Sequence, residues 1–196
     1  MPKTEKLKEI KDEVLNLKRS PLYKERVKNK VFPVLGAGNH NAKIMFVGEA
    51  PGKNEAEQGR PFCGASGRVL DELLESIKMD RKDVYVTNIV KDRPTANRDP
   101  SLEEIKIYGP FLDRQIDIIQ PKVIATLGRY SAEYIMKKFD LDFEIEPIGK
   151  MRGKAFGAKA PYGDIKIIPL LHPAVALYNS FSRDDLKKDF EILKNF

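Results

Sequence analysis

Cysteine and histidine are nearly missing from this chain. Its 196 residues include one cysteine, Cys63, and two histidines, His40 and His172. A lone cysteine excludes an internal disulfide and any cysteine-rich metal site. So few histidines argue against a zinc site built by the protein itself. Long apolar runs are missing as well. Nothing approaches the roughly 20 residues that cross a bilayer, and the segment from Met1 to Lys18 reads as a charged helix, not a secretory leader. The expected location is the cytoplasm, or the nucleoid if the protein acts on DNA, with no membrane partner.

What is present is a soluble, globular composition. Hydrophobic residues make up 41% and charged residues 33% of the chain. The length suits one domain with a full-sized core, spanning 1–196, with residues 1–33 as an N-terminal helix and basic segment packed on it. The formal charge of +6 favours a polyanionic partner, although a Lys/Glu-rich solvated surface would give the same balance.

Apolar runs alternate with helical patterns. Leu7, Ile10, Val14 and Leu17 predict an amphipathic helix from Thr4 to Leu17, broken by Ser20-Pro21 and followed by a basic stretch from Tyr23 to Lys30. A turn at Gly36–Asn39 precedes a strand, Lys43 to Val47. A helix from about Ser66 to Lys78 places Val69, Leu70, Leu73, Leu74 and Ile77 inward. Val84 to Val90 reads as a second strand. Ser101 and Glu104 have capping-box spacing, so a helix starts there and runs to about Ile119. A third strand covers Lys122 to Leu127, and Gly128 turns into a helix through about Lys138. Residues 140–162 are irregular with short edge strands. A fourth strand covers Asp164 to Leu171, and a last helix follows Ser182. This alternation predicts a three-layer α/β/α sandwich with a four-stranded, mainly parallel sheet.

Three strand ends carry polar or ring-bearing loops. The first is Gly48-Glu49-Ala50-Pro51-Gly52 with Gly59-Arg60-Pro61-Phe62-Cys63. The second is Thr87-Asn88-Ile89-Val90-Lys91, continuing through Arg93 to Arg98. The third is Leu171-His172-Pro173. Such strand ends are where open α/β sheets bind ligands, so the three loops are expected to form one site.

On these motifs, taken in order along nearly the whole chain from Val34 to Asn179, the sequence resembles the uracil-DNA glycosylase superfamily, closest to its family 4 members. The resemblance implies flipping of uracil out of single- or double-stranded DNA and hydrolysis of its N-glycosidic bond, leaving an abasic site for base excision repair. In that frame Phe62 stacks on the base. Asn88 reads its edge with donor and acceptor together. His172, held extended by Pro173, donates toward the base oxygen where negative charge builds.

The water falls to Glu49 or Glu55, because Ala50 stands where better-known relatives carry an aspartate. Gly48, Ala50 and Pro51 line the base. Lys91, Arg93, Arg98 and Ser66 are candidates for phosphate contact, Ser66 through amides at a helix start. Leu177 and Tyr178 lie where the family inserts a wedge into the duplex, although the family often has arginine at the Tyr178 position. Cys63 reads as a small filler, not a nucleophile.

The departure from family 4 is its four-cysteine iron–sulfur cluster. The matching positions here are Asp92, Tyr108 and the region Ser20 to Lys24, so the cluster is expected to be absent and no cofactor or metal is implied. Tyr23, Tyr108 and ion pairs of Asp92 are expected to brace the same region. The protein is expected to be a monomer. Rival readings are a catalytically weak or inactive binder of uracil- or abasic-site DNA, a glycosylase broadened to hypoxanthine or xanthine, and a nucleotide or phosphosugar enzyme on a similar sheet.

Overall fold

A computed structural model describes residues 1–178 and 182–196. In chain order the elements are α1 (Lys3–Leu15), α2 (Tyr23–Asn29), β1 (Ala37–Gly38), β2 (Ile44–Gly48), α3 (Lys53–Gln58) and α4 (Ala65–Ser76). Then follow β3 (Tyr85–Asn88), α5 (Leu102–Ile119), β4 (Val123–Leu127), α6 (Arg129–Lys138), α7 (Ile148–Met151), β5 (Phe156–Ala160), β6 (Gly163–Leu170), α8 (Val175–Tyr178) and α9 (Ser182–Phe190).

The sheet has six strands in the order β1-β3-β2-β4-β6-β5, not four. The four expected strands are its parallel centre. The two others, β1 and β5, pair antiparallel at the edges. β5 falls within residues 140–162, where the sequence predicts short edge strands, whereas β1, two residues long in a stretch read as a turn, escapes a reading by hydrophobic pattern. The α2 helix also exceeds expectation. Its face is basic, and a single residue, Arg26, is buried.

Both faces of the central strands are apolar, as a doubly covered parallel sheet requires. Met45, Val47 and Ile124 point to one face, under α1, α5 and α6. Ile44, Phe46, Val123 and Ala125 point to the other, under α4 and α9. The Phe46 and Phe190 rings stack there at 5.8 Å. The α5 helix begins as its sequence predicts: Glu104 N–H donates to Ser101 Oγ, and the Glu104 carboxylate takes Ser101 N–H at 2.8 Å.

The strand order fixes the site. From β2 the chain crosses first to β3 on one side and later to β4 on the other. A crevice opens at the carboxyl ends of the strands where that order reverses. Gly48 and Asn88 are register partners at this edge, and Leu127 pairs with Leu170. The loops carrying Glu49, Asn88, Arg129 and His172 therefore leave the sheet on the same side. The far end of the family resemblance, Asn179, lies outside the described residues.

Candidate active site

A cavity of about 420 Å³ sits at this edge, within the common range for small-ligand pockets. Glu49, Ala50, Pro51, Glu55, Phe62 and Asn88 line it, with Ser66, Arg98, His172, Leu177 and Tyr178. The three sequence-distant loops thus meet in one pocket.

Gly48 makes the meeting of the first two loops possible. A Cβ at this position would stand 2.3 Å from Asn88 Oδ1 and 2.8 Å from Phe62 Cζ. Only a glycine lets the amide and the ring approach the strand end together. Phe62 itself is held at φ 48, a costly backbone conformation for a bulky residue that persists only when its surroundings dictate it. Two contacts dictate it. Glu55 Oε1 accepts from Cys63 N at 3.1 Å and Gly64 N at 2.8 Å. Gly67, on α4, lets the Phe62 carbonyl lie where a Cβ would be 1.9 Å away. The Phe62 ring then faces the His172 ring, with centroids 5.6 Å apart.

Asn88 is buried, and its Oδ1 has no hydrogen-bond partner. A buried orphan acceptor costs about 1–3 kcal/mol, so this atom is poised for a ligand's N–H. His172 presents the complementary group. Its Nδ1 accepts from Ala174 N at 3.1 Å. A backbone N–H can only donate, so the neutral ring carries its proton on Nε2. Burial pushes its pKa down to about 4, against the opposing charge of Glu55. At neutral pH the ring is therefore uncharged and offers one donor.

The two glutamates differ. Glu55 is a loop tie, because one of its oxygens already holds two amides. Glu49 reaches across to the start of α6, where Oε1 accepts from Tyr130 N at 3.0 Å. Burial raises the Glu49 pKa, the Tyr130 amide lowers it, and the charge of Asp99 raises it further. A carboxylate shifted toward neutrality is better suited to handling a proton.

Several expected DNA contacts are altered. Lys91 is not available to phosphate: it is fully buried, and its Nζ donates to Thr87 Oγ1, Asn88 O and Gln115 Oε1. Arg98 lines the cavity but is clasped by both oxygens of Glu104, at 2.6 and 2.9 Å. Arg93 does not line the cavity; its Nε donates to Asn97 Oδ1. The Gly64 amide is spent on Glu55, which shrinks the amide cradle expected around Ser66. Leu177 and Tyr178 stand at the rim, 44% and 88% exposed. Burial and the charge of Glu55 push the Cys63 thiol up, away from the thiolate form.

Sequence reasoning missed the Asp99–Arg129–Tyr130 group. Arg129 and the Tyr130 hydroxyl both donate to Asp99 Oδ2, each at 3.0 Å, tying the 94–100 loop to α6 beside Glu49. Only the tertiary fold brings these residues together; no motif spacing signals them.

The residues at the cluster positions do not fit an iron–sulfur cluster. Asp92 accepts two bonds from Arg26 Nη1 at 3.0 Å and one from the Tyr108 hydroxyl at 2.6 Å. The hydroxyls of Tyr108 and Ser20 are 2.7 Å apart, and Arg26 also donates to the carbonyls of Val14 and Leu15. Tyr23 lies under the Arg26 guanidinium at 5.0 Å. The Asp92 carboxylate, both terminal nitrogens of Arg26 and the hydroxyls of Tyr108 and Ser20 are already engaged. Among the described residues no group of three or more His, Cys, Asp or Glu side chains could hold a metal ion.

Comparison with known proteins agrees with this architecture. The family model of the uracil DNA glycosylase superfamily matches residues 35–194. The chain is similar to the type-4 uracil-DNA glycosylase of Sulfurisphaera tokodaii, at 46% identity over 96% of this chain and 83% of the relative. It is also similar to those of Saccharolobus solfataricus, at 45% over 94% and 83%, and Archaeoglobus fulgidus, at 41% over 95% and 91%. With the strand-end loops meeting in one pocket and a family model spanning most of its length, the chain belongs to the uracil DNA glycosylase superfamily.

Proposed function

We propose that this chain excises uracil from DNA as a monofunctional glycosylase, leaving an abasic site. The observation that carries the reading is the pairing of opposite polar groups in one cavity. Asn88 offers a buried orphan acceptor, and His172 offers a single donor. Uracil has an N3–H beside O4 on one edge and O2 nearer the sugar. The Asn88 amide takes N3–H and O4. His172 Nε2–H reaches O2, where charge collects as the C1′–N1 bond breaks. Phe62 stacks on the ring, with Gly48, Ala50 and Pro51 shaping the floor.

Glu49 is the residue for the water. Its raised pKa and its position at the α6 start favour it over Glu55, which is spent on loop amides. The sugar passes through an oxocarbenium-like state, which a nearby carboxylate also stabilises. Leu177 and Tyr178 fill the vacated stack, and phosphate contact is left to Ser66 and to the remaining N–H groups of Arg93 and Arg98, beyond their bonds to Asn97 and Glu104.

The protein acts as one unit over 1–196, as a monomer, in the cytoplasm at the nucleoid, and without a cluster or other cofactor. The Arg26–Asp92–Tyr108–Ser20 network braces the region where relatives with four cysteines would carry one. No described helix is long and apolar enough to cross a membrane.

An oligonucleotide panel tests this: uracil opposite guanine, opposite adenine or unpaired, with hypoxanthine and xanthine alongside, each followed by alkali cleavage. Strand cleavage at uracil from an iron-free preparation is expected. Retarded DNA without cleavage would make the protein a binder. A coloured, iron-containing preparation would end the cofactor reading.

A further inference from the structure

Lys91 has no part in the mechanism above, yet it is the largest fully buried cationic side chain of the core. It lies on the α5 side of β3, bonded to Thr87 and Gln115. The Asn88 side chain, one residue after Thr87, points to the opposite face and into the pocket. Only the Asn88 peptide separates them: Lys91 Nζ donates to Asn88 O at 2.6 Å.

Three oxygens surround its Nζ. The Asn88 carbonyl can only accept. The Thr87 hydroxyl has Leu35 O at 2.6 Å and Gln115 Oε1 at 3.2 Å as acceptors for its proton; with the proton on either, its oxygen accepts from Lys91. The Gln115 amide nitrogen donates to Leu35 O at 2.8 Å, leaving Oε1 to accept at 2.6 Å. The three N–H groups of an ammonium match these three oxygens. No carboxylate among the described residues lies within ion-pair distance. Burial drives the Lys91 pKa well down, and the more distant charge of Asp113 opposes it. An unpaired buried charge is expensive, and its field in a low-dielectric interior reaches neighbouring sites.

We infer that Lys91 is a positioning residue for uracil release, a buried ammonium that pins the Asn88 peptide and biases the pocket toward a base departing as an anion. The inference rests on the glycosylase reading and deepens it.

The test compares wild type with Lys91→Met and Gln115→Glu. The second variant leaves Lys91 and an oxygen acceptor in place but supplies the missing counter-charge. Single-turnover release is measured from single-stranded oligonucleotides carrying uracil or 5-fluorouracil, whose fluorine makes the base a better leaving anion. Both variants should lose on the order of tenfold on uracil and a smaller factor on 5-fluorouracil. Equal losses on the two bases, or wild-type rates in Gln115→Glu, would overturn the inference. Thermal melting identifies the folded variants, and either one decides; failure of both to fold would assign Lys91 to the core alone and overturn it as well.

If the wild type releases neither base, the glycosylase reading fails separately. Lys91 is then judged by calorimetric titration with uracil and with 6-azauracil, which is anionic in mildly alkaline buffer. Gln115→Glu should lose affinity for the anion alone; loss of both or neither would refute it.

Discussion

Two buried polar regions flank the β3–α5 connection, and they are built to opposite standards. Behind it, Arg26, Asp92, Tyr108 and Ser20 bond to one another and to nearby backbone carbonyls, with none of their buried side-chain atoms left orphaned. In front of it, Asn88 keeps an orphan acceptor and Phe62 sits in a strained backbone conformation. The first region is finished on folding. The second is complete only when something else enters. Stability and function are thus separated by a few residues of chain, with Asp92 on one side and Asn88 on the other.

The sharpest way to break this contrast is to remove a partner from each side. Asp92→Ala leaves the Arg26 guanidinium buried and unpaired, with Arg26 and Asp92 side chains only 5% and 1% exposed. We expect a loss of about 3–5 kcal/mol in denaturant unfolding. Asn88→Ala should do the reverse. Uracil excision should fall by roughly 10²–10³-fold while unfolding free energy stays level or rises, because an unsatisfied acceptor is gone. A variant at Asn88 that unfolds as readily as one at Asp92 would erase the distinction.

His172 sharpens it through pH. Its folded pKa of about 4 lies below the ordinary 6.5. The unfolded chain therefore binds the proton first as pH falls. Stability should drop across the window from about 6.5 to about 4, then level off, by on the order of 3 kcal/mol. His172→Asn should flatten that part of the acid limb in a stability-versus-pH series.

The smallest effect belongs to the rim. Tyr178 is 88% exposed, so Tyr178→Ala should leave stability within about 0.5 kcal/mol. It should slow excision a few-fold from duplex DNA and leave single strands unaffected, since only a duplex has a stack to fill. Equal slowing on both substrates would remove the wedge role.

The hydrophobic pattern carried the central strands and the long helices, because a two-face apolar run and a 3.6-residue stripe are local signals. The capping box at Ser101 was readable for the same reason. Of the edge strands, β5 was legible only as a short strand somewhere in 140–162, and β1 not at all, since both are defined by pairing with β6 and β3 and carry little apolar pattern of their own. Arg26 shows the same limit. In sequence it belongs to a basic stretch; in space it is buried against Asp92. Lys91 is the clearest reversal, because a lysine beside a loop reads as a solvated cation until α5 covers it.

Residue types and their order along the chain therefore determined the layered α/β fold and the three loops able to handle a base. The tertiary structure alone decided which charges are spent inside the protein. It buried Lys91, clasped Arg98 with Glu104, gave Glu55 to the loop and left Glu49 and Asn88 facing the cavity. A charged group's role depends on the desolvation and the partners around it, and those come from segments far apart in sequence.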